Sequence, residues 1–325
     1  MMGKGSLAFN DSSHFFDINN TKALRGLFSL VIILVHIPPR YQNTVQDMIG
    51  SFAYIGVTFF FMTSAFGLEK SMSRTAGRLE HFWRHRLIKL LVPCFLVNIL
   101  WMCKQFFESH EIYFPKLFEI NPWTKWLLVC YAFYYCIKRI KCSGKYANVL
   151  ICISVILFSV GIYCLKVQGV INNTTWCTEI YGFIWGLLLA GNDSFFMNTK
   201  GKKWWTMAIF SFLSAGILGI LYLKMKCVFL LGDYVLKIVL GFGILFWMLI
   251  VNVKIKFANK VGCFLGRISY EIYLIHGFVI QCLLGYNCGS WVFILIVMLS
   301  TIAISFIMNR LAVVIMKNLM KLIKR

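Results

Sequence analysis

Ten apolar runs of near membrane-spanning length, parted by short polar loops, make up most of this 325-residue chain. A helix needs roughly 17–25 residues to cross about 30 Å of hydrocarbon. Within that layer a chain must satisfy every backbone N–H and C=O internally, which leaves helices and closed barrels. The runs cover approximately residues 22–38, 47–68, 87–107, 122–137, 147–165, 176–191, 204–223, 230–252, 262–284 and 291–313. Those starting at 122 and 176 are short, and the first of them contains Lys125. Hydrophobic residues are 59% of the chain and charged residues 14%, against about 45–50% and 25% in soluble domains. The expected fold class is all-α, a polytopic membrane helical bundle of about ten transmembrane helices. It divides into an amino-terminal arm (1–21), a bundle (22–314) and a basic tail (315–325), with no fused soluble domain.

A net charge of +21 invites a nucleic-acid partner, but the placement of the charge argues otherwise. Basic residues gather in alternate loops. One side holds Lys4, then Lys70, Arg74, Arg78, Arg84 and Arg86, then Lys138, Arg139, Lys141 and Lys145. The same side takes Lys200, Lys202, Lys203, Lys254, Lys256, Lys260 and the tail Lys317, Lys321, Lys324 and Arg325. Opposite loops carry only Arg40, Lys116, Lys166, Lys224 and Lys226, with Lys104 near a span end. Such asymmetry follows the positive-inside rule and predicts both termini cytoplasmic. Anionic lipid headgroups suffice as partners for the basic loops, so no nucleic-acid partner is expected. No cleavable leader is expected ahead of the first run, which lacks a small-residue cleavage pattern after it.

Within that first run, Arg25 and His36 are eleven residues apart. At about 100° per residue, eleven steps return to within about 20°, so both share one helix face about 16 Å apart along the axis. Ionisable groups inside a membrane helix are costly and usually face a bundle interior or watery cavity. The pair is therefore expected to line one wall of a passage. Simpler readings stand beside this one: His36 capping its helix before Pro38-Pro39, and Arg25 snorkelling to headgroups. The twelve cysteines include no C-x-x-C pair and no zinc spacing, so packing is expected of them and no metal. Gly182-x-x-x-Gly186 and Gly262-x-x-x-Gly266 permit close helix approach. Asp233 and Lys237, four apart, suit either a helical ion pair or a site contact. Asn172-Asn173-Thr174-Thr175 holds two N-glycosylation acceptors, which matter only in a eukaryotic secretory setting.

Four blocks carry a family resemblance. Lys22 to His36 (KALRGLFSLVIILVH) is similar to the opening signature of the acyltransferase-3 family of integral-membrane O-acyltransferases, a basic residue and an aliphatic run followed by histidine. Gly56 to Phe66 (GVTFFFMTSAF) resembles the family's glycine-valine, double-phenylalanine, serine-glycine-phenylalanine block, with Ala65 for the glycine and Thr58 where aspartate is common. His81 to Pro93 (HFWRHRLIKLLVP) looks like its basic approach to span three, Arg86 and Lys89 standing at the arginine pair and Pro93 one place late. Leu265 to Phe278 (LGRISYEIYLIHGF) resembles its late glycine, serine-tyrosine, tyrosine-leucine, histidine block. Trp126-Leu127 adds a faint match to a tryptophan-phenylalanine-leucine block.

The resemblance implies an enzyme that moves an acyl group, usually acetyl, from cytoplasmic acyl-CoA to a hydroxyl of a cell-surface glycan or lipid-linked sugar. Acyl-CoA is then a co-substrate, with no tightly bound cofactor, and the expected location is a bacterial inner membrane. Donor contacts are expected at Arg25, Arg86, Lys89, Ser64 and Arg267, because arginine and lysine suit phosphate; for Ser64 a bond to its own helix carbonyl is the plainer reading. Acceptor contacts are expected at Tyr273, His276 and Trp126. A sugar hydroxyl needs a base at neutral pH, and His36, with Arg25 as its catalytic companion, is the expected one. Backbone N–H groups or Tyr273 would stabilise the carbonyl oxygen as it gains charge. Direct transfer and a covalent acyl-enzyme both remain open. The rival class is a ten-span transporter of an anionic or sugar-like solute, which would show broken helices or half-repeats.

Overall fold

A computed structural model describes residues 16–74, 79–111, 113–140, 144–171 and 176–322. Lys4, Arg78, Lys141, Lys324, Arg325 and the Asn172–Thr175 acceptors lie outside them. Every regular element among the described residues is helical. Helix α1 (Ile18–Val35) begins where the Asp17 carboxylate accepts from the Asn20 N–H at 2.7 Å. It stops before Pro38-Pro39, because proline supplies no N–H to continue the ladder. A short α2 (Thr44–Gly50) turns the chain into α3 (Tyr54–Arg74). Then follow α4 (Phe82–Ser109), α5 (Pro122–Arg139), α6 (Gly144–Val167), α7 (Tyr181–Gly191), α8 (Asp193–Met197) and α9 (Gly201–Met225). A π-helical turn over Leu231–Leu236 leads into α10 (Lys237–Lys254), and α11 (Lys260–Arg267), α12 (Ser269–Leu283) and α13 (Ser290–Leu322) complete the bundle.

Seven helical stretches among these residues are long and apolar enough to cross a membrane, and α11 with α12, bent by 68°, makes an eighth when taken as one span. The two expected spans that fall short are the two marked as short in the sequence. Helix α5 devotes one face to Trp123, Thr124, Tyr131 and Tyr134, all buried. Helix α7 has eleven residues, most of them enclosed by neighbours.

Ring contacts give the helix directions. Phe28 meets Phe59 at 4.8 Å and Phe16 meets Phe66 at 5.1 Å, so α3 runs back along α1. The Tyr270 hydroxyl donates to the Leu90 carbonyl at 2.9 Å while Trp101 meets Phe278 at 5.4 Å, so α4 and α12 run the same way. Helix α12 also follows α1: Gly266 packs on Lys22 near its start, and the Tyr41 hydroxyl reaches Leu284 at its end. Glu69 ties α3, α5 and α6 together, accepting from the Tyr134 hydroxyl (2.6 Å), Lys138 Nζ (3.0 Å) and Asn148 Nδ2 (3.1 Å).

Both small-residue pairs mark close backbone approach. A Cβ on Gly182 would stand 2.0 Å from the Thr58 carbonyl oxygen, and one on Gly266 would stand 1.9 Å from that of Lys22. Gly182→Ala must therefore push α7 off α3, at roughly 1–3 kcal/mol for overpacking. Its thermal midpoint in detergent is expected several degrees below that of the parent protein. An equal midpoint would mean that α7 backs away freely.

Asp233 and Lys237 do not pair with each other. The π-helical turn replaces i,i+4 neighbours by i,i+5 ones, and the two side chains diverge. Lys237 Nζ lies 3.7 Å from Glu179, while Asp233 accepts from the Tyr163 hydroxyl at 3.0 Å.

Candidate active site

Arg25 projects from the middle of α1 towards α3, its guanidinium carbon 5.4 Å from the centroid of the Phe60 ring. Its Nε is buried and has no hydrogen-bond partner. Tyr131 and Glu271 lie within electrostatic reach of it. Arg86 stands over the Tyr131 ring at 5.4 Å. Glu271, only 4% exposed, accepts from Asn309 Nδ2 at 2.9 Å, and its second carboxylate oxygen has no partner. Desolvated opposite charges with vacant hydrogen-bonding positions make a place where an ionic ligand gains more than it would in water.

His36 follows the last turn of α1. Two carbonyls nearby have glutamine donors: Gln46 Nε2 donates to Leu34 O, and Gln42 Nε2 donates to Ile37 O at 3.0 Å. The His36 ring instead lies 4.8 Å from that of His276 on α12. His276 Nδ1 is 3.3 Å from the Ile272 carbonyl. A carbonyl only accepts, so that nitrogen holds the proton and Nε2 holds the lone pair. His36 is exposed whereas His276 is buried.

A continuous run of rings joins the two ends. Phe60, beside Arg25, meets Trp123 at 6.0 Å; Trp123 meets Tyr273 at 5.5 Å; Tyr273 meets His276 at 5.8 Å; His276 meets His36. The expected passage is thus occupied by aromatic faces between its cation and its imidazole. Two cavities, each about 220 Å³, lie elsewhere, and neither counts Arg25 or His36 in its lining. One is an apolar groove between α7 and α10, and the other a polar cleft beside Asn121. The Tyr273 hydroxyl donates to Asn121 Oδ1 at 3.1 Å. Its single proton is committed there, so Tyr273 stabilises an oxyanion only if that bond breaks. The buried Trp123 indole N–H has no partner and stands midway along the run.

The remaining expected residues divide. Arg86 joins the Arg25 end. Ser64 is half-buried one turn beyond Phe60 on α3. Lys89 on α4 and Arg267 at the end of α11 are exposed. Trp126 packs on Phe158 of α6 at 5.3 Å, away from the ring run. Sequence reasoning missed Glu271, Trp123 and Asn121. For Glu271 a signal existed, since an acidic residue within an apolar helix deserves the suspicion given to Arg25. Trp123 and Asn121 offered none, because tryptophan at a helix start and asparagine at an N-cap are ordinary. No group of His, Cys, Asp and Glu that would suit a metal occurs among the described residues.

A family model described as an acyltransferase domain matches residues 18–310. No curated protein matches, and neither does any solved structure.

Proposed function

The chain belongs to the acyltransferase-3 family, and from that premise we propose that this membrane acyltransferase moves an acyl group, acetyl in the first instance, from cytoplasmic acyl-CoA to a hydroxyl of a cell-surface glycan or lipid-linked sugar. One observation carries the reading: the aromatic run has a part-vacant guanidinium at one end and a pair of imidazoles at the other. The arginine end takes the anionic nucleotide, aided by Arg86, with Lys89 and Arg267 on the approach and Ser64 alongside. The pantetheine arm lies along the ring faces and carries the thioester to His36. His36 removes the proton of the acceptor hydroxyl as its oxygen bonds to the thioester carbonyl carbon. The carbon–sulfur bond then breaks, the thiolate leaves, and the proton returns to sulfur, giving an O-acyl ester and free CoA thiol. His276 and Tyr273 border the acceptor. Trp126, packed on α6, is left to the bundle wall. Direct transfer needs no further nucleophile.

Ten passes fit this reading, with α1, α3, α4, α5, α6, α7, α9, α10, α12 and α13 alternating and both termini cytoplasmic, in a bacterial inner membrane. A second reading draws on the 68° break between α11 and α12. Interrupted spans are typical of transporters, where half-helix ends hold solute. Membranes bearing the full chain, given radiolabelled acetyl-CoA, separate the two. Label esterified to the glycan fraction together with release of CoA thiol is expected. Solute uptake into sealed vesicles with no label transfer would replace the enzyme by the transporter.

A further inference from the structure

The polar cleft of about 220 Å³ lies between α4, the segment before α5, and Leu274 of α12. Nothing in the proposed acyl transfer yet uses it. Its wall is fixed before any ligand arrives. Asn98 Nδ2 donates to the carbonyls of Leu117 (3.0 Å) and Glu119 (2.7 Å), which pins residues 117–119 against α4. Lys116 Nζ sits 5.0 Å from the centroid of the Trp101 ring, which fixes the rim. Preorganisation of this kind lowers the entropic cost of binding.

We infer that this cleft is the acceptor subsite and takes a single uncharged sugar ring. The lining includes residues of both signs and two carboxamides: Lys116, Glu119, Asn98 and Asn121, with Asn98 Nδ2 and Asn121 Oδ1 already engaged within the protein. One cation set against one anion gives no net preference for a charged ligand. Mixed donors and acceptors match a polyol, whose every hydroxyl is both. Trp101 and Leu274 supply an apolar wall for the C–H face of a pyranose. At about 30 Å³ per water, the cleft holds roughly seven, which is room for one ring rather than an oligosaccharide.

Position supports the same assignment. Asn121 lines the cleft and accepts from Tyr273, whose ring is 5.8 Å from His276, itself in contact with His36. Through Asn121 the cleft is joined to Tyr273, the ring next to His276 in the run. Arg25 is at the other end. This inference rests on the acyl-transfer reading, so its test keeps donor binding and acceptor use apart.

Leu274→Trp fills the cleft from α12, and Glu119→Gln removes its carboxylate from an exposed position. Membranes bearing each full-length variant are assayed for saturable binding of radiolabelled acetyl-CoA and for alkali-labile acetyl esters on their glycan. For Leu274→Trp the expected result is a loss of glycan ester of about tenfold or more, within the range that pocket shape commands, with acetyl-CoA binding unchanged. Glu119→Gln is expected to lower the ester several-fold, again with donor binding intact. Full ester content in both variants would overturn the assignment, as would loss of acetyl-CoA binding in Leu274→Trp. If the parent protein neither binds acetyl-CoA nor yields ester, the acyl-transfer reading itself has failed, a pattern unlike either of these.

Discussion

Replacing His36 by alanine is expected to lower acyl transfer by a factor of about 10²–10⁴, the range typical of a lost general base, while the amount of folded protein in the membrane stays the same. The second half of that expectation comes from what His36 does not do. Gln46 and Gln42, not the His36 ring, donate to the Leu34 and Ile37 carbonyls beside it. It is exposed, and among the described residues its ring meets that of His276. Truncation thus opens no sealed cavity and orphans no buried partner, and surface changes of that kind usually fall within about 0.5 kcal/mol. A base must be unprotonated to act. Desolvation holds the His36 imidazole below its ordinary value, so the rate should stay level through about 6.5 and fall only at more acidic pH. His276 is the competing assignment, because its Nε2 holds a lone pair in the same place. If His276 is the base, His36→Ala keeps its transfer and His276→Ala loses it. Labelled transfer by the two variants, each corrected for protein abundance, decides between them.

Much of the fold could be read from apolar run length alone. Bilayer thickness fixes span length, and that constraint acts locally on each run. The runs at 122 and 176 resisted for a physical reason. Helix α7 is largely enclosed by other helices and needs no full length, while α5 buries one polar-aromatic face and so lacks an apolar surface all round. Helical periodicity placed Arg25 and His36 on one face; Arg25 stands over Phe60 of α3, and the His36 ring, past the last helical residue of α1, meets His276 of α12. Periodicity could not say what filled the space between them. The ring run draws Phe60 from α3, Trp123 from α5 and Tyr273 from α12, and no spacing within one segment encodes that meeting. The π-helical turn misled in the opposite sense. Asp233 and Lys237 have the spacing of a helical ion pair, and the wider turn sends one to Tyr163 and the other to Glu179. Local pattern held where the local geometry was regular.

Arg25→Ala is expected to raise the acyl-CoA concentration for half-maximal transfer by about tenfold to a hundredfold. That range corresponds to the roughly 1.5–3 kcal/mol of a hydrogen bond to a charged group. The substitution has a second consequence that needs to be separated from the first. Glu271 is 4% exposed, one of its oxygens has no partner, and Arg25 is the cation in electrostatic reach. Removing the guanidinium leaves a buried carboxylate uncompensated, which is strongly destabilising. Glu271→Gln removes that charge. If Arg25 serves only to neutralise Glu271, the double variant Arg25→Ala/Glu271→Gln regains both stability and the parent donor requirement. If Arg25 holds the donor, thermal stability returns in the double variant and the high acyl-CoA requirement remains. Coupling between contacting residues is expected in the first property and not in the second. Arg25→Lys refines the result, since lysine keeps the charge and loses the planar fork of donors. Partial recovery of the donor requirement by lysine would place the charge first and the fork second. No recovery would mean that the planar fork, its vacant Nε included, is what holds the donor.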